Sequence, residues 1–257
     1  MNAMVETLPR VSLPRIYALE SKHEFLRLLR APSFAVPTLL FPAMFYLLFA
    51  VLFVKNASND FHANIYLLAT YGIFGVMAPG LFGFGVSVAL DRERGWLTLK
   101  RAQPMPPGAY LASKLAMAML FAATIFTILA VLSMTVAGVT LPLAAWAKLF
   151  LVEIFGVLPF CAIGLCIATL VSGQAAPAVI NLIYLPMSFL SGLWMPLSIL
   201  PPVVREIAPL WPAYHLGQLA LSAVGQASEG TTLMHIAALA AVTSVFLAVA
   251  RRRLARA

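Results

Sequence analysis

The groups that could do chemistry are few and scattered. The 257-residue chain holds nine carboxylates, four histidines and two cysteines. Catalysis needs such groups clustered. His215 and His235 stand twenty residues apart, and no His-Glu-x-x-His pattern occurs, so the helix-borne zinc signature is missing and no metal site is expected. No Gly-Lys dipeptide occurs, which removes the phosphate-binding loop built on that pair. Ser172-Gly173-Gln174 resembles a fragment of an ATPase signature, but it is one glycine short and is read as chance. Cys161 and Cys166 fall about 140° apart on a helix, so one segment cannot bridge them. They are read as small apolar core residues. Two features remain. Glu153 is the one carboxylate inside a long apolar run. Residues 91–104 read Asp-Arg-Glu-Arg-Gly-Trp-Leu-Thr-Leu-Lys-Arg-Ala-Gln-Pro, a charged strip between two uncharged runs. That strip is too short to fold alone, but it can pass a force to a partner.

The elements that position these residues follow from composition. The chain is 62% hydrophobic and 10% charged, whereas a soluble domain is near half apolar and a quarter charged. The expected fold is therefore an all-α integral membrane protein. Six runs reach spanning length: 34–54, 64–90, 115–137, 147–171, 175–195 and 232–250. The second carries five glycines and Pro79 at its middle, which predicts a kink or tilt. Its Gly83 and Ser87 form a small-xxx-small pair for close helix approach. Glu153 is expected roughly 9 Å below the outer end of the fourth run. It is either a pathway-lining or inter-helix polar group, or a near-interface residue satisfied by water or backbone. Lys148, about 140° round the same helix, snorkels outward. Asn181 is read as a residue that bonds between helices.

The net charge of +8 is spread over three basic clusters separated by apolar runs. This suits lipid headgroups and topology better than nucleic acid. With both termini in the cytosol, fourteen of the seventeen Lys and Arg lie inside, and only Lys55, Lys148 and Arg205 lie outside. The whole chain, 1–257, reads as one transmembrane domain. Residues 1–33 are a cytosolic lead-in containing an interfacial helix over 14–31, with Ile16, Leu19, Phe25, Leu26 and Leu29 on its apolar side. Glu24 pairs with Arg27 there. Residues 91–114 are a cytosolic loop. Residues 196–231, broken by five prolines, are outer helices that dip into the membrane and return. About thirty residues, many charged, precede the first apolar run, so it is expected to be a retained span and not a cleaved leader.

Glu93-Arg94-Gly95-Trp96-Leu97, followed by Leu99 and Pro104, resembles the Glu-Arg-Gly-x-Leu…Pro pattern of permeases of ATP-binding-cassette exporters, type-2 membrane-domain family. A second stretch agrees. It runs from Pro186 through Gly192 to Pro196, then through Pro201 and Pro202 to Pro212 and His215. It is similar to the family's fifth span, its exit and its outer Pro-x-x-Tyr/His segment. Leu221 stands where the family often has Arg or Gln, and Gln218 is nearer.

The resemblance implies a half-transporter that forms a homodimer in the bacterial inner membrane and binds two copies of an ATPase subunit. The ATPase would hold ATP and Mg; this chain would bind no cofactor and catalyse nothing. The lead-in helix would be an elbow helix, and the strip a coupling helix seated on the ATPase. In that role Arg92, Arg94 and Arg101 offer charge-assisted bonds, and Trp96, Leu97 and Leu99 offer apolar contact. Glu93 stands with Asp91 at the helix start, Gly95 allows a turn, and Pro104 ends the helix. An ion-coupled secondary transporter is the alternative. It predicts embedded titratable groups and an internal repeat; Glu153 is the one candidate, and no repeat is visible. A membrane-embedded enzyme is disfavoured by the scatter of reactive groups.

Overall fold

The computed structural model describes residues 12–54, 61–96, 99, 102, 106 and 108–254. Among these the regular structure is entirely helical. The elements are α1 (Leu13–Leu29), α2 (Pro32–Val54), α3 (Phe61–Ala78), a π-helical stretch (Pro79–Val86), α4 (Ser87–Glu93), α5 (Ala109–Thr135), α6 (Leu143–Leu170), α7 (Ala176–Leu190), α8 (Pro202–Ile207), α9 (Pro212–Ala223) and α10 (Thr232–Leu254). Short 3-10 turns lie at Leu197–Ile199 and Ala208–Leu210.

Among the described residues, five helical segments are long and apolar enough to cross a membrane: Pro32–Ala50, His62–Glu93, Ala109–Thr135, Leu143–Leu170 and Thr232–Leu254. The expected run over 175–195 forms a helix only over Ala176–Leu190. Gly192, at φ 76°, turns the chain there. Gly192 N–H donates to the Phe189 carbonyl and Leu193 N–H to the Ser188 carbonyl. These two bonds form a Schellman stop, which glycine accommodates without strain. Hydropathy alone does not register that stop.

The continuous rod α3–π–α4 is the most buried of the long segments, and α10 is the most peripheral. Pro79 lacks the amide hydrogen an α-helix would use at that point, and the chain widens there into eight π-helical residues. The predicted irregularity at Pro79 therefore takes the form of a π-helix. Close approach is made by Gly85, not by Gly83 and Ser87. A Cβ on Gly85 would stand 2.7 Å from the Gly164 Cα of α6, backbone against backbone. Gly83 instead receives the Phe34 ring. Cys161 and Cys166 are free and buried, as core residues.

Two apolar clusters of described residues fill the bundle. One centres on Tyr46, Tyr71, Phe74, Phe160 and Tyr184. The other centres on Val88, Met117, Phe121 and Cys161, with Phe25 and Phe34 packed against it. Phe25 and Phe34 meet the Phe121 ring at centroid distances of 5.0 and 5.3 Å. Helix α1 thus lies against α5, with Glu24, Phe25 and Leu28 partly covered. Leu19 and Leu29, expected on its apolar side, are exposed. The face of α1 turned to the bundle is the one that carries Glu24.

Candidate functional site

The charged strip is rooted in a buried ion cluster. Helix α4 carries the second span two turns beyond Ser87 and ends at Glu93, where Arg94 and Gly95 turn the chain. Asp91 and Glu93 therefore close the second span and do not open a coupling helix, which corrects the expectation. A carboxylate at a helix C-terminus is opposed by the helix dipole, so Asp91 needs cations. Lys114 on α5 supplies one: its Nζ lies 3.0 Å from Asp91 Oδ2 and 2.5 Å from Glu24 Oε1 on α1. It also donates to Ser87 Oγ at 2.9 Å. Tyr110 donates its hydroxyl to Asp91 Oδ2 at 2.8 Å. Arg27 binds Glu24 at 2.6 Å, as its three-residue spacing predicts, and approaches Asp91 at 3.7 Å.

Two carboxylates thus face two cations. Lys114 is wholly buried. A buried charge is tolerated when paired and hydrogen-bonded, and this cluster meets both conditions. It fastens three elements at one point: the lead-in helix, the end of the second span and the start of the third.

The root of the strip also grips the α6–α7 turn. Arg92 donates to the Val171 carbonyl at 2.7 Å, which satisfies the C-cap carbonyl of α6 from outside the helix. Glu93 packs over Gly173, where a Cβ would come 2.5 Å from its Oε2. The Ser172-Gly173-Gln174 triplet, set aside as chance, is therefore the seat of the strip. Beyond it, Gly95 adopts φ 73°. Arg94, Trp96 and Leu99 are exposed, and Leu99 N–H returns to the Gly95 carbonyl at 3.3 Å. Leu97, Arg101 and Pro104 lie outside the described residues.

Glu153 sits deeper than expected. Helix α6 begins at Leu143, so Glu153 is about 15 Å along it at 1.5 Å per residue. It is completely buried, and neither carboxylate oxygen has a hydrogen-bond partner. It fits because α3 presents Gly72 at that level; a Cβ there would strike the carboxyl. The expected partners, water or neighbouring backbone, do not include any backbone group here. Asn181 lies on the exposed side of α7 beside Leu182 and Leu185, turned away from the rest of the chain.

On the side of the bundle opposite the ion cluster, the motif residues do separate jobs. Gly192 ends α7, and its carbonyl accepts the Tyr66 hydroxyl at 2.6 Å. Pro196 precedes the first 3-10 turn. Pro212 is the first residue of α9, where its fixed φ suits a helix start. His215 is buried and bonded to the Pro209 carbonyl and to His235. Aromatic rings from α2, α3 and the end of α7 pack nearby, with Phe45, Phe74 and Trp194 mutually in contact. Sequence reasoning missed the Lys114 and Arg92 contacts and the histidine pair. Each joins residues at least twenty positions apart, and Lys114, standing just outside the third apolar run, read as part of the loop.

Long apolar helices joined by short polar turns, with a charged cluster at one end, define a multi-pass membrane protein. The chain matches the ABC-2 type transporter family over residues 18–224. It belongs to that family and is a transport permease by kinship. It is 25% identical over 198 residues to the "Putative transport permease YvfS" of Bacillus subtilis (strain 168), which covers 77% of this chain and 81% of that protein.

Proposed function

We propose that the chain is the membrane subunit of an ATP-driven exporter in a bacterial inner membrane, and that residues 91–104 couple it to a separate ATPase. The observation that carries this reading is the anchored strip. Its root is locked by Asp91, Lys114, Glu24 and Arg92, while its tip offers Trp96 and Leu99, 53% and 63% exposed. A rigid root with an apolar, basic tip transmits a push from a docked partner into α1, α3–α4, α5 and the α6–α7 turn together. Two ATPase copies would supply ATP and Mg; this chain binds neither.

In this reading both termini and the strip are cytosolic, and α7 with the turn after it serves as a sixth, short crossing. At 1.5 Å per residue α7 spans about 22 Å, less than the roughly 30 Å hydrocarbon core. Its exposed Asn181 amide is expensive against lipid. A second copy of the chain packed on α7 would cover it, so the exporter is a homodimer with the substrate path along that seam. Residues 196–231 form the outer lip. A natural product or drug is the favoured substrate class, because the outer loops are too small for a polymer-binding module.

The test is co-purification with the candidate ATPase. Replacing Glu93, Arg94 and Gly95 together should abolish complex formation and ATPase stimulation while leaving the permease folded. Unchanged complex and stimulation would remove the coupling role. One observation favours a second reading, ion-coupled transport: Glu153 is buried and unpartnered. Uptake driven by a proton gradient in vesicles holding this chain alone would support that reading instead.

A further inference from the structure

We propose that His215 and His235 form a proton-binding clamp, holding one shared proton between their Nδ1 atoms and fastening α9 to the start of α10. The Nε2 of His215 lies 2.9 Å from the Pro209 carbonyl oxygen, and the Nε2 of His235 lies 2.6 Å from the Glu229 carbonyl oxygen. A carbonyl only accepts, so each Nε2 carries a hydrogen. A neutral imidazole has a single N–H. Two neutral rings would therefore point bare lone pairs at each other across the 2.9 Å between their Nδ1 atoms. Moving a hydrogen from Nε2 to Nδ1 mends that contact but sets a lone pair against a carbonyl oxygen. One extra proton on the pair satisfies all four nitrogens at once. Two extra protons would press N–H against N–H.

Both rings are buried, which by itself opposes a charge; the four satisfied ring nitrogens are what hold the proton. Tyr214 lies against both, at centroid distances of 5.3 and 6.0 Å, and its hydroxyl donates to the Glu229 carboxylate at 2.9 Å. Glu229 N–H in turn donates to Gln218 Oε1 at 2.7 Å. The turn whose Glu229 carbonyl receives His235 is thus held in place by α9 itself. A metal ion between the two Nδ1 atoms would find only these ligands, since no cluster of three or more His, Cys, Asp or Glu occurs among the described residues.

The titratable and charged groups on the surrounding elements are Tyr214 on α9, Glu229 in the preceding turn, Lys148 and Glu153 on α6, His62, Tyr66 and Tyr71 on α3, and Arg205 and Glu206 on α8. Burial pushes the His215 imidazole below its ordinary value, the Pro209 carbonyl opposes this, and charge on His235 adds to the depression. A second proton on the pair would set charge against charge as well as N–H against N–H, so it is opposed on both counts. A histidine depressed in the folded state stabilises above its ordinary value and loses that contribution as the pH falls through the lowered one. Acid on that side of the membrane would open the joint between α9 and α10.

The experiment is nitrogen NMR on the full chain in lipid nanodiscs with 15N-labelled histidine. The chain has four histidines, and H23Q and H62Q, both outside the clamp, silence the other two. The expected result near about pH 7 is a nitrogen–nitrogen coupling across the Nδ1···Nδ1 hydrogen bond, with three N–H hydrogens over the two rings. Acidification should abolish the coupling as the fourth hydrogen enters. Two neutral rings, each protonated at Nε2 with no coupling between them, would overturn the proposal. So would a stoichiometric zinc adduct that replaces the proton when zinc alone is added.

Discussion

Lys114→Met is the sharpest perturbation of the inner cluster. The lysine is wholly buried and its Nζ serves Glu24, Asp91 and Ser87 at 2.5, 3.0 and 2.9 Å. Methionine keeps the stem and removes the charge. The two carboxylates, each 12% exposed in the side chain, would then share Arg27, whose own side chain is 47% exposed. Removing one partner of a buried ion pair costs about 3–5 kcal/mol. Arg27 remains and water can reach it, so the lower end applies, about 3 kcal/mol, or roughly a hundredfold in the folding equilibrium. Adding Glu24→Gln and Asp91→Asn to Lys114→Met removes the uncompensated charge and should recover at least half of the loss. The assay is reversible unfolding of the full chain in mixed micelles, with protease cleavage at α1 as the local readout. Lys114→Met within about 0.5 kcal/mol of the parent, or a triple variant worse than the single, would refute the electrostatic account of how α1 is held.

Gly85→Ala should destabilise by about 1–3 kcal/mol through overpacking, since its Cβ would meet the Gly164 backbone and neither chain can retreat; thermal unfolding in micelles measures it. Glu153→Met should leave stability unchanged or raise it by about 1–3 kcal/mol, because it removes a buried carboxyl that has no partner. If Glu153 lines the path, the same variant should cut export in a vesicle assay, so the two readouts separate a functional role from a structural one. Protection of the α9 amides, with the intrinsic slowing of exchange in acid divided out, should fall as the pH drops below the ordinary histidine value of 6.5. His215→Gln should flatten that dependence.

The membrane class and the long helices were legible because a hydrocarbon solvent forces long uncharged runs. Pro79 marked the irregular point of the second span for the equally local reason that it lacks an amide hydrogen. The Glu24–Arg27 pair was legible for the same kind of reason, being three residues apart on one helix. The fifth run was misjudged because hydropathy averages over Gly192, where a single left-handed residue ends the helix. Asp91 was misplaced because charge was read as a loop signal, yet Lys114, twenty-three positions on, lets the helix carry it. Arg92 looked like a partner-binding residue, since nothing local shows the Val171 carbonyl waiting for it. Glu153 read as shallow, because the exposed Leu143 turn that begins α6 carries no distinctive composition. The histidine pair had no sequence signal beyond two isolated rings in apolar surroundings.

The central claim is that the strip faces the cytosol with its tip free for an ATPase. Leu99, exposed at that tip, can be replaced by cysteine in a chain whose buried Cys161 and Cys166 are changed to alanine, with Ser228→Cys as the counterpart in the loop before α10. A membrane-impermeant maleimide applied to intact cells should label the Ser228 position at once. It should reach the Leu99 position only after the membrane is opened, and the ATPase should then shield that position. Labelling of the Leu99 position from outside intact cells would contradict the account.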